Sequence, residues 1–300
     1  MDIIIVCHTE LGLVADKKII VDKSAVSGVR NGVLNLQKIA DKYQAKISYA
    51  LCPEAKDFFP KQIDQEIGLH VHSTDLYIRK QCKLSSDSSV LRDYSYQEQY
   101  NMIKTGQDCL ENFSGQKPKF FVAGRWSLNN DTVKALAELG FDYDCSAPAH
   151  SLKPHYDWSK ISRICLPYYP NSDDYQKKGD LPLLIIPISQ TIFGGTVNPE
   201  GVVVYGFAWL KACFSEYYKK KIPLFHICLH SPSMTDNYYL FIMDKFLSFI
   251  SQHKDINFKF VSEIKEYREQ DFNKFFYFPY FAAINKNLLK TAFKRILCWK

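Results

Sequence analysis

His70 and His72 stand two residues apart in Glu66-Ile67-Gly68-Leu69-His70-Val71-His72. On an extended chain that spacing places both imidazoles on one face. Two neutral imidazoles so placed suit one divalent cation, with a carboxylate as third donor and an open position for water. Glu10, in His8-Thr9-Glu10, has the chemistry of that third donor and equally that of a general base. His8 shares its face and can take either role. Asp75 is a spare oxygen ligand three residues beyond His72. His230, at the end of an apolar run and before Ser231-Pro232, is a natural general acid, because imidazole titrates near neutrality. Arg125, in Ala123-Gly124-Arg125-Trp126, is a fixed cation able to orient a carboxylate or hold an anion. Trp126, with Tyr168 and Tyr169, offers faces for stacking on sugar rings, and Asp144 is a candidate substrate contact. Each piece also has an ordinary reading: a hydrogen-bonded histidine pair at a strand corner, a loop start, or aromatic core. His226 is expected to fill the interior.

The elements that carry these residues are short apolar runs alternating with helical patterns. Ile3–Cys7, Ile47–Cys52, Ile67–Val71, Lys119–Ala123, Phe141–Cys145, Leu183–Ile188, Leu224–Leu229 and Phe258–Val261 read as strands. Val29–Tyr43, Tyr96–Phe113, Asn130–Leu139 and Tyr238–His253 read as helices, the third stopped by Gly140. Alternation of this kind implies an α/β protein with a parallel sheet, open or closed. In such sheets the strand C-termini converge on one rim, where sites are built. His8, Glu10, His70, His72, Arg125, Asp144 and His230 all follow or close strands. Lys153–Gly179 reads as a long irregular insertion.

Composition narrows the class. The 300 residues are 46% apolar, 23% charged and 15% aromatic, which is ordinary for a globular chain and excludes a disordered or collagenous one. The net charge of +6 is concentrated: Lys274, Lys286, Lys290, Lys294, Arg295 and Lys300 lie after Asp271 with no acid among them. A general nucleic-acid surface is therefore excluded. Nine scattered cysteines without a CxxC pair, and a start lacking a basic leader, lead to the expectation of a cytoplasmic protein. There is no glycine-rich phosphate loop or nucleophile elbow.

The segment Glu66–His72 resembles the second motif of the polysaccharide deacetylases (the NodB-homology, carbohydrate esterase 4 group), in the His-x-His branch associated with surface-polysaccharide and O-antigen biosynthesis. Ala123-Gly124-Arg125-Trp126-Ser127-Leu128, with Leu139–Ser146 beyond it, is similar to the third motif, and Leu229-His230-Ser231-Pro232-Ser233-Met234 to the last. The order agrees over roughly residues 1–265. The resemblance implies a distorted parallel (β/α)7-type barrel and metal-dependent hydrolysis of an N- or O-acetyl group on a sugar. It implies that His70 and His72 hold a divalent ion (Zn, Co, Ni or Mn), with Glu10 or His8 as third ligand or base. Arg125 then orients the base, and His230 protonates the leaving group. The family opens with paired carboxylates, whereas this chain has His8 where an aspartate is expected.

The expected organisation is a barrel over 1–271 and an aromatic, basic tail over 272–300. Ile284, Leu288, Leu289, Ala292, Phe293 and Ile296 have helical spacing there, with lysines on other faces, so 284–300 reads as a basic amphipathic helix. It either lies on the inner face of the cell membrane or packs back on the barrel. The substrate expected is an acetylated sugar, sugar nucleotide or lipid-linked glycan. The alternative is an inactive barrel of the same fold that binds a glycan or a partner enzyme. A small-molecule amidohydrolase would share the site.

Overall fold

The computed structural model describes residues 1–12, 22–190 and 195–268. The strands are β1 (Asp2–Thr9), β2 (Ser48–Leu51), β3 (Glu66–Val71), β4 (Phe120–Ala123), β5 (Tyr143–Asp144), a small antiparallel hairpin β6 (Leu152–Lys153) and β7 (Tyr156–Asp157), then β8 (Leu184–Ile185), β9 (Leu224–His230) and β10 (Asn257–Lys259). The helices are α1 (Lys23–Lys42), α2 (Leu76–Gln81), α3 (Tyr96–Ser114), α4 (Asn130–Glu138), α5 (Val202–Tyr205), α6 (Phe207–Lys219) and α7 (Asn237–Ser251).

Eight strands form one parallel sheet. Its curl runs β9-β1-β2-β3-β4-β5-β8, and β10 shares an edge of β1 with β2, pairing the first half of β1 while β2 pairs the second. This is the expected distorted (β/α) barrel. Among the described residues no strand pairing joins β8 to β9. Instead the His226 amide donates to Ser189 Oγ (2.8 Å), and the Ser189 and Cys228 amides donate to the carbonyls of His226 and Val197 (both 3.2 Å).

The alternation of the strands builds two cores. Ile3, Ile5 and Cys7 of β1 face outward into the large cluster shared with the helices, whose buried stripes include Val29, Val33 and Leu36 of α1. Ile4 and Val6 face inward with Ala50, Phe120, Val122, Cys145 and Leu224. The next inward positions after Val6, Ala50, Gly68 and Cys228 are His8, Cys52, His70 and His230. The barrel is thus plugged with hydrocarbon below and polar at its C-terminal rim.

Local chemistry accounts for the helix ends. Asp22 accepts from the Ala25 amide at 2.8 Å and starts α1 six residues before the apolar period becomes visible. Ser95 and Glu98 form a capping box on α3, and Asn129 caps α4. Helix α6 lies in a stretch where the sequence reading placed no element; its buried stripe is Trp209, Leu210, Cys213, Phe214 and Tyr217. The basic tail beyond residue 268 lies outside the described residues. No helix among the described residues is long and apolar enough to cross a membrane.

Candidate metal and acid–base site

Glu10 lies one residue past β1, and its Oε2 is 2.7 Å from His72 Nε2 and 3.5 Å from His70 Nε2. The two ring nitrogens face each other at 3.1 Å. His70 Nδ1 lies 2.9 Å from the Val122 carbonyl, which can only accept, so Nδ1 carries the proton and Nε2 presents its lone pair to Glu10 and His72. Three donors converging this way, one oriented from behind, fit a divalent cation well. Cys52 completes the group: its sulfur and the ligand atoms of Glu10, His70 and His72 all lie within 4.8 Å of one another. Burial pushes the Glu10 carboxyl up, but His72 and His70 more than reverse this and hold it well below the usual carboxylate range.

Across the rim, His8 and His230 are direct register partners on β1 and β9, with ring centroids 4.8 Å apart, and His8 is 4.8 Å from His70 as well. Their environments differ. Burial, then repulsion from His230 and His70, pulls His8 well below the ordinary imidazole value, and its buried Nε2 has no hydrogen-bond partner among the described residues. His230 has a carboxylate behind it. Glu200 Oε1 and Oε2 lie 3.1 and 3.2 Å from its Nδ1, and Oε1 also accepts the His230 amide at 2.8 Å. Burial lowers the His230 pKa, and Glu200 overrides it and raises it to about 9. With 34% of its side chain open to solvent, His230 can reach a solute.

Two glycines, one in the third motif and one in α1, explain how these rings are held. A methyl on Gly124 would lie 2.6 Å from His72 Nδ1 and 2.8 Å from the Val71 carbonyl, so the third motif backs directly onto the second. A methyl on Gly32 would lie 2.0 Å from the Ser231 carbonyl, so α1 presses on the turn that follows His230. Arg125 and Trp126 both adopt left-handed backbone (φ 57° and 55°), which is uncommon outside glycine and recurs at functional sites.

The sequence-derived residues therefore divide. Glu10, His8, His70, His72 and His230 come together. Arg125 has no ion-pair partner among the described residues, and its Nε is buried without a hydrogen bond. Trp126 packs edge-on against Tyr156. Asp144 is fully buried; its carboxylate accepts from the Ser146 amide and hydroxyl, and Ser146 Oγ accepts from the Ala123 amide, tying β5 to β4. Asp75 spends its oxygens on the amides of Ile78 (2.9 Å) and Glu54 (3.1 Å), capping α2 rather than offering a metal ligand. Tyr168 is buried core, with its hydroxyl on the Tyr175 carbonyl, so of that pair only Tyr169 presents a face to solvent. His226 is buried, with Nδ1 3.2 Å from the Pro187 carbonyl.

Glu200 and Cys52 were not legible as site residues. Glu200 sits in a short turn after Asn198-Pro199, with no strand end or spacing to mark it. Cys52 ends an apolar run and reads as core; the signal available was its place two residues after inward-facing Ala50 on the strand beside Glu10.

The sequence matches no family model and no curated protein. The fold is shared with solved structures. An assigned polysaccharide deacetylase from Mycobacterium smegmatis superposes with a TM-score of 0.62 at 18% identity, over 87% of each chain. The Puue allantoinase gives 0.60 at 17%, over 87% of this chain and 88% of that one. An assigned polysaccharide deacetylase from Pseudomonas aeruginosa PAO1 gives 0.58 at 17%, with the same coverages.

Proposed function

We propose that this chain is a metal-dependent hydrolase that removes an acetyl group from an N- or O-acetylated sugar in surface-glycan biosynthesis. The observation that carries the reading is the pairing of two assemblies on one rim. Glu10, His70 and His72 offer a cation three donors, and an independent His230–Glu200 pair faces them across His8. The fold shared with two assigned polysaccharide deacetylases supports the substrate class. A bound divalent ion (Zn, Co, Ni or Mn) supplies carbonyl polarisation and acidifies water.

The chain's own residues supply the rest. Glu10 is committed between the two imidazoles, so we assign it to the ion and assign the base to His8, which is kept neutral and has an unpartnered Nε2. His230, kept protonated by Glu200, gives its Nε2 proton to the departing sugar nitrogen or oxygen. Arg125 and Trp126 are assigned to polar groups and to a ring face of the sugar. Asp144 acts from below, through Ser146, on the end of β4. The substrate forms we favour are an acetylated sugar nucleotide or lipid-linked glycan at the cytoplasmic side of the membrane, approached through 284–300.

Acetate release from acetylated sugars by the metal-loaded protein tests this. His72→Ala should lose the ion and turnover together, and His230→Ala should keep the ion and lose turnover by about 100-fold or more. One observation favours a second reading, a barrel that binds a glycan or partner enzyme without turnover: the imidazole of His8 stands where a carboxylate is expected. Stoichiometric metal and glycan binding with no acetate would select it. Turnover of small amides instead of acetylated sugars would select a small-molecule amidohydrolase.

A further inference from the structure

We propose that the Cys52 thiolate is the fourth protein ligand of the ion held by Glu10, His70 and His72, and that this makes the site selective for thiophilic divalent metals such as zinc. The proposal rests on the metal-dependent reading above.

Four observations carry it. The sulfur lies within 4.8 Å of all three other donors. Donors around a tetrahedral zinc, at 2.0–2.3 Å from the ion, stand about 3.5 Å from one another. The three N/O donors stand 2.7, 3.1 and 3.5 Å apart, at or inside that spacing, so an ion has only to spread them slightly and draw in the sulfur, which lies no more than 4.8 Å from any of them. The Cys52 backbone is fixed at the rim, because its amide donates to the Thr9 carbonyl at 2.9 Å, next to Glu10. Among the described residues its thiol forms no disulfide, and the residue is fully buried.

A second, independent feature points to a ligand at this place. The Nε2 atoms of His70 and His72 face each other across 3.1 Å, and His70 cannot donate there in its neutral form because its proton is on Nδ1. The two nitrogens and the Glu10 oxygen thus converge on one place, where a cation can take the position of the His72 Nε2 proton. Cys52, one residue past β2, sits between the strands that carry the histidines and lead to Glu10. Its side is the closed one, whereas 18% of the Glu10 side chain is open to solvent. The thiolate therefore takes the inner position and leaves the solvent side for water or substrate. On binding, the S–H bond breaks, a metal–sulfur bond forms, and the proton passes to solvent. One thiolate among imidazole and carboxylate donors biases the site toward zinc and cobalt and against manganese and magnesium.

The test is cobalt substitution of the full chain. A near-ultraviolet sulfur-to-cobalt charge-transfer band is expected in the wild type. It should vanish in Cys52→Ser while cobalt still binds, and zinc affinity should fall by about 100-fold or more, with manganese affinity much less changed. Zinc K-edge absorption of the unaltered chain provides a reading that needs no variant, with one sulfur expected beside nitrogen and oxygen neighbours. Metal bound with no sulfur signal in either measurement overturns the Cys52 assignment and leaves the hydrolase reading standing. A chain that binds no divalent ion overturns both.

Discussion

His8 and His230 stand side by side in register yet have opposite preferences for a proton. Burial and neighbouring imidazoles hold His8 low; the Glu200 carboxylate holds His230 at about 9. A neutral base beside a protonated acid is the arrangement that acyl hydrolysis near pH 7 requires. Turnover should therefore have an alkaline limb at or below about pH 9, since a bound cation pulls both imidazoles down. Glu200→Gln removes the charge that raises His230. Its alkaline limb should move acidward, toward the ordinary value near 6.5, with metal content unchanged. A pH–rate profile of the two proteins checks this, and coincident limbs would remove Glu200 from the mechanism. At this scale the sequence was readable wherever period-two spacing carried the signal, as at His8/Glu10 and His70/His72. It was silent on Glu200, which meets His230 only through the approach of a turn thirty residues upstream.

Elements position these side chains by close backbone approach, and glycine marks where. The turn carrying Gly124 leaves no room for a Cβ against His72 Nδ1 and the Val71 carbonyl. Gly124→Ala should displace His72 and weaken metal binding by about 10–100-fold, the range for loss of a supporting group around a metal, though Gly124 touches no ion. Metal titration of the folded variant measures it. Gly32→Ala forces α1 away from the Ser231 carbonyl, 2.0 Å from the added methyl. A stability loss of about 1–3 kcal/mol is expected from denaturant unfolding. The strands of the barrel and the long helices were legible because their periods are strong and their caps conventional. The left-handed pair Arg125–Trp126 was not, because nothing in the residue types announces positive φ there.

The whole molecule inherits a pH response from its buried groups. Burial raises Asp144 from 3.8 to about 7 and Glu54 from 4.5 to about 8, and Glu200 raises His230 from 6.5 to about 9. Each binds its proton more tightly folded than unfolded, so each contribution is lost as pH rises through those windows. His226 runs the other way: burial lowers it from 6.5 to about 4, so its contribution falls as pH drops through that range and is complete above 6.5. Between pH 6.5 and 9 the remaining slopes share one sign. The melting temperature of the metal-free chain should fall steadily over that interval. Zinc should oppose the fall, because its donors bind it more readily as protons leave. A metal-free protein whose melting point rises from pH 6.5 to 9 would contradict this account. This behaviour was beyond the sequence, since it depends on which carboxylates the curled sheet encloses.

The distribution of the site along the chain has a consequence for its assembly in time. Glu10, Cys52, His70 and His72 sit on or just past the contiguous strands β1, β2 and β3, whereas His230 reaches His8 only when β9 pairs with β1. Loop closure makes that last pairing the slow, entropically costly one. A growing or refolding chain thus acquires the half proposed to hold metal from neighbours in sequence, and the half proposed to donate the proton from a distant segment. Cobalt colour should return before acetate release does, and the interval between them would time the closing of the barrel.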